Sequence, residues 1–239
     1  ILFPQRCPSC YKIPLKNHGI CGTCYDDINN WSFCSKCGIP FGFFNDEDEQ
    51  YTESNIEGHN NLCGKCIKDF YSFHKARSIA IYERKIRDLI ISLKYEGKLS
   101  KAESLLEILF SNFPNDLDEF DSIVAVPLHV DKLRKREYNQ SVILATGIAN
   151  HFGMKCDLFG LRRIRDTRPQ IEITNALERR RNVKGAFSVS KDSSFKGKSV
   201  SLVDDVFTTG STSDECTKML LKSGAYKVQV LTFTRARAM

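Results

Sequence analysis

The stretch VSLVDDVFTTGST, running from Val200 to Thr212, sets an apolar run directly before two adjacent carboxylates and a hydroxyl-rich glycine turn. Neighbouring acids repel, and a Thr-Thr-Gly-Ser-Thr turn is a poor continuation of a buried strand. A plain strand end with a helix cap would need only one or two of these residues. The full set implies a ligand that compensates both features. The run SVSLV reads as a buried strand, TSDECTKMLLKSG as a helix and KVQVLTFTRA as a final strand. Such a strand–helix–strand unit implies a parallel pair with a right-handed crossover.

In a parallel sheet the carboxyl ends of the strands face the crevice where ligands bind. Asp204 and Asp205 are therefore delivered to that edge. Thr208, Thr209, Gly210, Ser211 and Thr212 then open a helix. Backbone N–H groups and hydroxyls at a helix N-terminus make a phosphate cradle, and glycine lets the backbone approach closely. The carboxylates suit sugar hydroxyls or the hydration shell of a divalent ion nearby. A phosphorylated, activated ribose fits this layout.

Upstream, the same alternation continues. ARSIAIY reads as a short strand, and RKIRDLIISLKYEG places Ile86, Leu89, Ile90 and Leu93 at helical spacing with Gly97 as its stop. KAESLLEILFSNF is a second helix, FDSIVAVP a buried strand ended by Pro127, and NQSVILATGIANHFG a helix closed by Gly153. MKCDLFGL is expected to be a strand, and the arginine-rich stretch from Arg162 to Asn182 irregular. The whole predicts an α/β fold with a mostly parallel open sheet over 76–239.

Residues 1–72 have a different texture. Eight of the ten cysteines fall in four Cys-x-x-Cys pairs: Cys7/Cys10, Cys21/Cys24, Cys34/Cys37 and Cys63/Cys66. Four thiolates complete a closed tetrahedral zinc site, so this small module is expected to hold two structural zinc ions. Sequential and cross-braced pairings satisfy the stoichiometry equally. The sequential one, with Cys7, Cys10, Cys21 and Cys24 on one metal and Cys34, Cys37, Cys63 and Cys66 on the other, closes the shorter loops. A redox dithiol is the other use of the motif, but four pairs in loops point to metal. His18 and His59 read as surface residues, and Cys156 and Cys216 as small core residues. An acidic loop, NDEDEQYTESNIEGHNN, separates the last two pairs.

The net charge of +6 is uneven. Residues 1–75 carry 7 Lys+Arg and 9 Asp+Glu, against 28 and 20 in residues 76–239, so that the second part is net +8. That balance favours anionic partners such as phosphorylated ligands or nucleic acid. No run of about 18 apolar residues or secretory leader is visible, so no membrane insertion is expected and the cytoplasm is the expected compartment.

VDDVFTTGST resembles the phosphoribosyl-diphosphate signature of type I phosphoribosyltransferases. The chain as a whole resembles the ComF family of competence-associated phosphoribosyltransferase-like proteins, through the cysteine array, LKYEG at Leu93–Gly97, VPLHVDKLRKREYNQ at Val126–Gln140, and ALERRRNVKGAF at Ala176–Phe187 with Thr167 and Gln170 upstream. The resemblance implies binding of 5-phosphoribosyl 1-diphosphate with magnesium. Asp204 and Asp205 would hold the ribose side, and Thr208 to Thr212 the 5′-phosphate. The loop carrying Lys132, Arg134, Lys135 and Arg136 would face the pyrophosphate. The stretch from Arg162 to Asn182 would form a hood over the base position. Glu137 departs from the family, which has glycine there, and an acid beside a pyrophosphate loop opposes the ligand.

The implied reaction is transfer of phosphoribosyl to a base or amine, with no general base identifiable; His129 is the histidine nearest the expected site. A non-catalytic ligand sensor and a single-stranded-DNA-binding adaptor in transformation, working with competence-machinery proteins, are the alternatives. Phe207, Tyr138 and Phe187 are expected in the core rather than on a base-stacking surface.

Overall fold

The structure is a computed structural model and describes residues 33–41, 61–68, 70–82, 84–95, 100–168, 173 and 175–236. Five strands make one parallel sheet in the order β1-β7-β6-β2-β3. They are β1 (Lys75–Ile81), β2 (Ser122–Ala125), β3 (Cys156–Asp157), β6 (Ser199–Phe207) and β7 (Lys227–Arg235). A separate antiparallel pair joins β4 (Leu161–Arg163) to β5 (Phe187–Val189).

The central strands are apolar on both faces, as expected where a parallel sheet is covered on each side. All four residues of β2 are buried. Alternate residues enter opposite cores: Ile123 and Ala125 join one cluster while Val124 joins the other. The first core is completed by α2 (Arg84–Tyr95), α3 (Ser100–Ser111) and α5 (Gln140–His151). The apolar stripe Ile86, Leu89, Ile90 and Leu93 is buried as its spacing predicted. The second core holds Cys216 and Leu220 of α7 (Ser211–Lys222), Phe187 of β5, and the cysteines around α1 (Gly64–Ile67). Cys216 is fully buried there, whereas Cys156 is only half-buried against the first cluster, and burial pushes its thiol up to about 11.

Three expectations are corrected. The strand in MKCDLFGL shrinks to Cys156–Asp157, because the Asp157 carboxylate accepts from the amides of Phe159 (3.1 Å) and Gly160 (2.6 Å) and turns the chain. The stretch Arg162–Asn182 is not irregular throughout: it holds most of β4, and α6 (Ala176–Val183) fills its C-terminal end with Asn175 capping Leu177 and Glu178. The cationic segment after β2 is a short helix, α4 (Val130–Arg136), rather than a loop. Gly153, with φ 64°, ends α5 as expected. Gly97 lies outside the described residues.

Candidate functional site

The acidic pair sits inside the last residues of β6, which pairs with β7 as far as Phe207↔Arg235. Asp205 is 8 % exposed and Asp204 half-buried. The Asp204 carboxylate accepts from the Ser141 hydroxyl at 2.8 Å and from the Asp205 amide at 2.9 Å. Ser141 belongs to the first turn of α5, brought here by Asn139. That side chain caps the Ser141 amide (3.0 Å) and donates to the Val126 carbonyl (2.9 Å) at the end of β2. Neither Ser141 nor Asn139 was singled out from sequence; Asn before an apolar helical run is the cap signal that marks them.

The next five residues form the turn into α7. Gly210 is its N-cap at φ 74°, and no side chain caps the helix there. A Cβ at Gly210 would lie 2.5 Å from Phe207 Cζ and 2.8 Å from Tyr71 Cε1, so both backbone and space demand glycine. The Thr209 and Ser211 hydroxyls stand 2.8 Å apart, and the Tyr71 hydroxyl donates to the Thr209 carbonyl at 3.0 Å. Twelve residues of α7 direct their dipole at this turn, which suits an anion.

Lys132 on α4 donates to the Thr167 carbonyl at 2.6 Å and pairs with Asp166 at 3.2 Å, tying α4 to the arginine-rich stretch. Arg134 is exposed and pairs with Asp131 at 3.5 Å. Lys135 is exposed and Arg136 half-buried. His129 caps α4 through its Nδ1, 3.4 Å from the Asp131 amide, a structural task. Arg163 is a further cation near Asp204: it donates to the Thr167 hydroxyl, lies 5.3 Å over the Phe187 ring, and burial pulls its pKa down while the Asp166 and Asp204 charges oppose that shift. Phe207 and Phe187 are buried, and Tyr138 is half-buried with its hydroxyl on the Leu93 carbonyl.

The arginines of α6 do not form one charged face. Arg179 is 7 % exposed and donates to the Ile173 carbonyl at 2.6 Å. Arg180 bonds Asp214 (3.0 Å) and the Phe70 carbonyl (2.7 Å), and its guanidinium lies 3.8 Å from the Phe70 ring centre. Arg181 alone of the three is exposed. Asp214, in the first turn of α7 and 1 % exposed, also accepts from the Ser72 amide and Lys218, both at 2.7 Å. Burial opposes its ionisation, but these donors outweigh burial and hold its pKa low.

Cys34, Cys37, Cys63 and Cys66 are buried, with their sulfur atoms all within 4.8 Å of one another. The Cys37–Cys63 sulfur separation is 3.7 Å, close to the edge of about 3.8 Å expected of a tetrahedron with Zn–S bonds of about 2.3 Å. The amides of Cys37 (3.5 Å) and Cys63 (3.3 Å) point at the Cys34 sulfur, as amides do toward a thiolate. The residues fit zinc, with every ligand position supplied by the chain. These are also the four that the sequential pairing groups. Cys7, Cys10, Cys21, Cys24, His18, His59 and Gln170 lie outside the described residues. Among the described residues no helix is long and apolar enough to cross a membrane.

The fold and site define an open parallel α/β protein with a four-cysteine site that fits zinc packed against its sheet. The model of the double zinc ribbon domain matches residues 1–67. The chain is 30% identical over 240 residues to the DNA utilization protein YhgH of Salmonella typhi, covering 97% of each chain. It is 29% identical over 242 residues to competence protein F of Haemophilus influenzae, covering 98% of each. The chain belongs to this competence protein F and YhgH family. Among solved structures it is similar to the glutamine phosphoribosylpyrophosphate amidotransferase of B. subtilis, at 24% identity and a TM-score of 0.35, over 55% of this chain and 24% of that one.

Proposed function

We propose that this chain binds 5-phosphoribosyl 1-diphosphate with magnesium at the carboxyl edge of β6 and transfers the phosphoribosyl group to a base or amine. It does so in the cytoplasm as part of DNA uptake, with a zinc-binding module over residues 1–72 and the ligand domain over 76–239. What carries the reading is one observation: a carboxylate pair, Asp204 half-buried and Asp205 buried, shortly before a glycine-bent turn at the N-terminus of a twelve-residue helix with no side-chain cap. Carboxylates before an anion cradle match a ligand with hydroxyls at one end and a phosphate at the other.

On this reading the α7 dipole and the Thr208–Thr212 turn take the 5′-phosphate. Asp204, oriented by Ser141, and Asp205 receive the ribose hydroxyls or the water shell of magnesium; both are hard oxygen donors of the kind that ion selects. Magnesium, when bound, neutralises charge on the diphosphate. Lys132, Arg134, Lys135 and Arg136 add positive charge where pyrophosphate departs, the largest single source of rate in such a displacement. Arg163 extends that field toward Asp204. The described residues of the arginine-rich stretch, 162–168 and 175–182, are the part of the chain this reading assigns to a hood that keeps water from the activated sugar.

Isothermal calorimetry with phosphoribosyl diphosphate and magnesium tests this. Binding by the zinc-loaded protein, abolished in the Asp204→Asn/Asp205→Asn double variant, is the expected result; a folded wild type that binds nothing overturns it. A single-stranded-DNA adaptor is the second reading. It is favoured by Phe159, 75 % exposed, and Ile164, 61 % exposed, beside the exposed Arg162. Competence-machinery proteins are the partners it implies. Its test is salt-dependent binding of single strands.

A further inference from the structure

The segment that leaves the four-cysteine site runs straight to the turn assigned above to phosphate. Five residues past Cys66, Tyr71 is 5 % exposed and donates its hydroxyl to the Thr209 carbonyl at 3.0 Å. Its ring stacks on Phe73 (4.7 Å between centres, 18°) and meets Phe207 edge-on at 6.2 Å. Both Tyr71 and Phe207 fill the space a Gly210 side chain would need. On either side of Tyr71 the backbone is held by α6 and α7, through Arg180 at the Phe70 carbonyl and Asp214 at the Ser72 amide.

A second connection comes from the far end of the chain. Arg235, the last residue of β7, is 3 % exposed. It donates to the Cys37 carbonyl at 2.5 Å, approaches the Cys37 sulfur at 3.9 Å, and lies 4.4 Å over the Phe207 ring. The cysteine turn itself rests on β1: the Ala76 amide bonds the Lys36 carbonyl at 2.7 Å, and a Cβ on Gly38 would strike the Ala76 carbonyl at 2.7 Å. The sulfur cluster and Gly210 are therefore linked through packed side chains: Arg235 between Cys37 and Phe207, and Phe207 with Tyr71 and Phe73 between Arg235 and Gly210. All are buried in one hydrophobic cluster or bonded to it. Side chains packed this closely have discrete arrangements rather than a continuous range.

We propose that Tyr71 and Arg235 are positioning residues that transmit the metal state of the Cys34–Cys37–Cys63–Cys66 site to the Thr208–Thr212 turn, so that zinc loading sets how well that turn holds a phosphate. The ligand part rests on the function proposed above; the mechanical part does not. With zinc in place the Cys63–Cys66 end is fixed, Tyr71 is presented to Thr209, and the turn is preorganised. Without it the Phe70–Phe73 segment loses its fixed origin and Arg235 loses an ordered carbonyl at Cys37. Tyr71 thereby acts on the ligand only through Thr209 and Gly210.

The experiment uses the full zinc-loaded chain and Tyr71→Phe, which keeps the ring and the metal ligands and deletes one donor. Amide hydrogen exchange over 207–214 is compared with that over β2, with bound zinc measured in both proteins. Phosphoribosyl diphosphate and inorganic phosphate are titrated by calorimetry well below the melting temperature. Exchange faster and binding weaker by about fivefold, the ratio one neutral hydrogen bond corresponds to, with zinc content unchanged and β2 unaffected, is the expected result. Stepwise zinc removal with a chelator should reproduce the exchange effect while circular dichroism stays native. If chelation unfolds the chain, Tyr71→Phe alone decides. Unchanged exchange over 207–214 in Tyr71→Phe overturns the proposal, whatever the ligand. Faster exchange in a wild type that binds neither phosphate compound upholds the coupling and sinks the ligand reading instead.

Discussion

Glu137 takes its meaning from one backbone angle. At φ 66° it is the one positive-φ residue other than glycine among the described residues, and it ends α4 as the C-cap, its amide bonding the Leu133 carbonyl at 2.7 Å. Sequence alone set this acid against the expected pyrophosphate. The structure adds that the position is a left-handed cap, which glycine adopts freely and a side chain occupies only under strain. Glu137→Gly is therefore expected to stabilise the protein by about 0.5–1 kcal/mol, the relieved strain outweighing the extra chain entropy of glycine. The measurement is the urea midpoint at unchanged slope. A lowered midpoint would mean that Glu137 makes a contact worth more than the strain.

At the scale of elements, α6 and α7 are joined by two consecutive acids. Asp214 takes Arg180, and Glu215 takes the Gly185 amide at 2.7 Å. Because the folded pKa of Asp214 is lowered, its contribution to stability is complete above the unfolded carboxyl value of about 3.9 and is lost as pH falls through the folded value. Denaturation followed from pH 6 to pH 3 should show that acid-side loss in the wild type and a shallower one in Asp214→Asn; equal slopes would refute the assignment. The same clamp decides which cations a test of DNA binding can alter. Reversing Arg179, Arg180 and Arg181 together would break buried bonds as well as surface charge, so the exposed cations Arg134, Lys135, Arg162 and Arg181 are the appropriate set. Helix α6 was missed because ALERRRNV has no apolar stripe, although Asn175 with Glu178 three residues on carries a start signal. Helix α4 was missed for the same reason, since none of its residues is buried.

Over the whole molecule, the metal module and the sheet share one core. Cys34, Cys37, Cys63 and Cys66 belong to the hydrophobic cluster that contains Val124, Val230 and Cys216. Metal analysis is expected to find two zinc ions per chain, and Cys63→Ser to remove one of them while lowering the melting temperature of the α/β body as well. A body that melts unchanged would show that the module and the sheet are energetically independent.

The elements legible in the sequence were those whose signal is local. The strand–helix–strand unit from Ser199 to Arg235, the stripe of α2 and the helix stop at Gly153 follow from apolar period and glycine placement within a dozen residues. The Cys-x-x-Cys spacing and the acid–glycine order from Asp204 to Thr212 are local too, so the four cysteines that cluster and the turn that opens α7 could be named. What the tertiary structure decided is which distant residues meet. Tyr71 reaches Thr209 across 138 positions and Arg235 reaches Cys37 across 198. Ser141 meets Asp204 across 63, and Arg180 turns inward to Asp214 rather than out to solvent. A local pattern records the period of an element and the bends at its ends. Contacts between elements depend on strand order and on which face each helix buries, and these exist only once the sheet has formed.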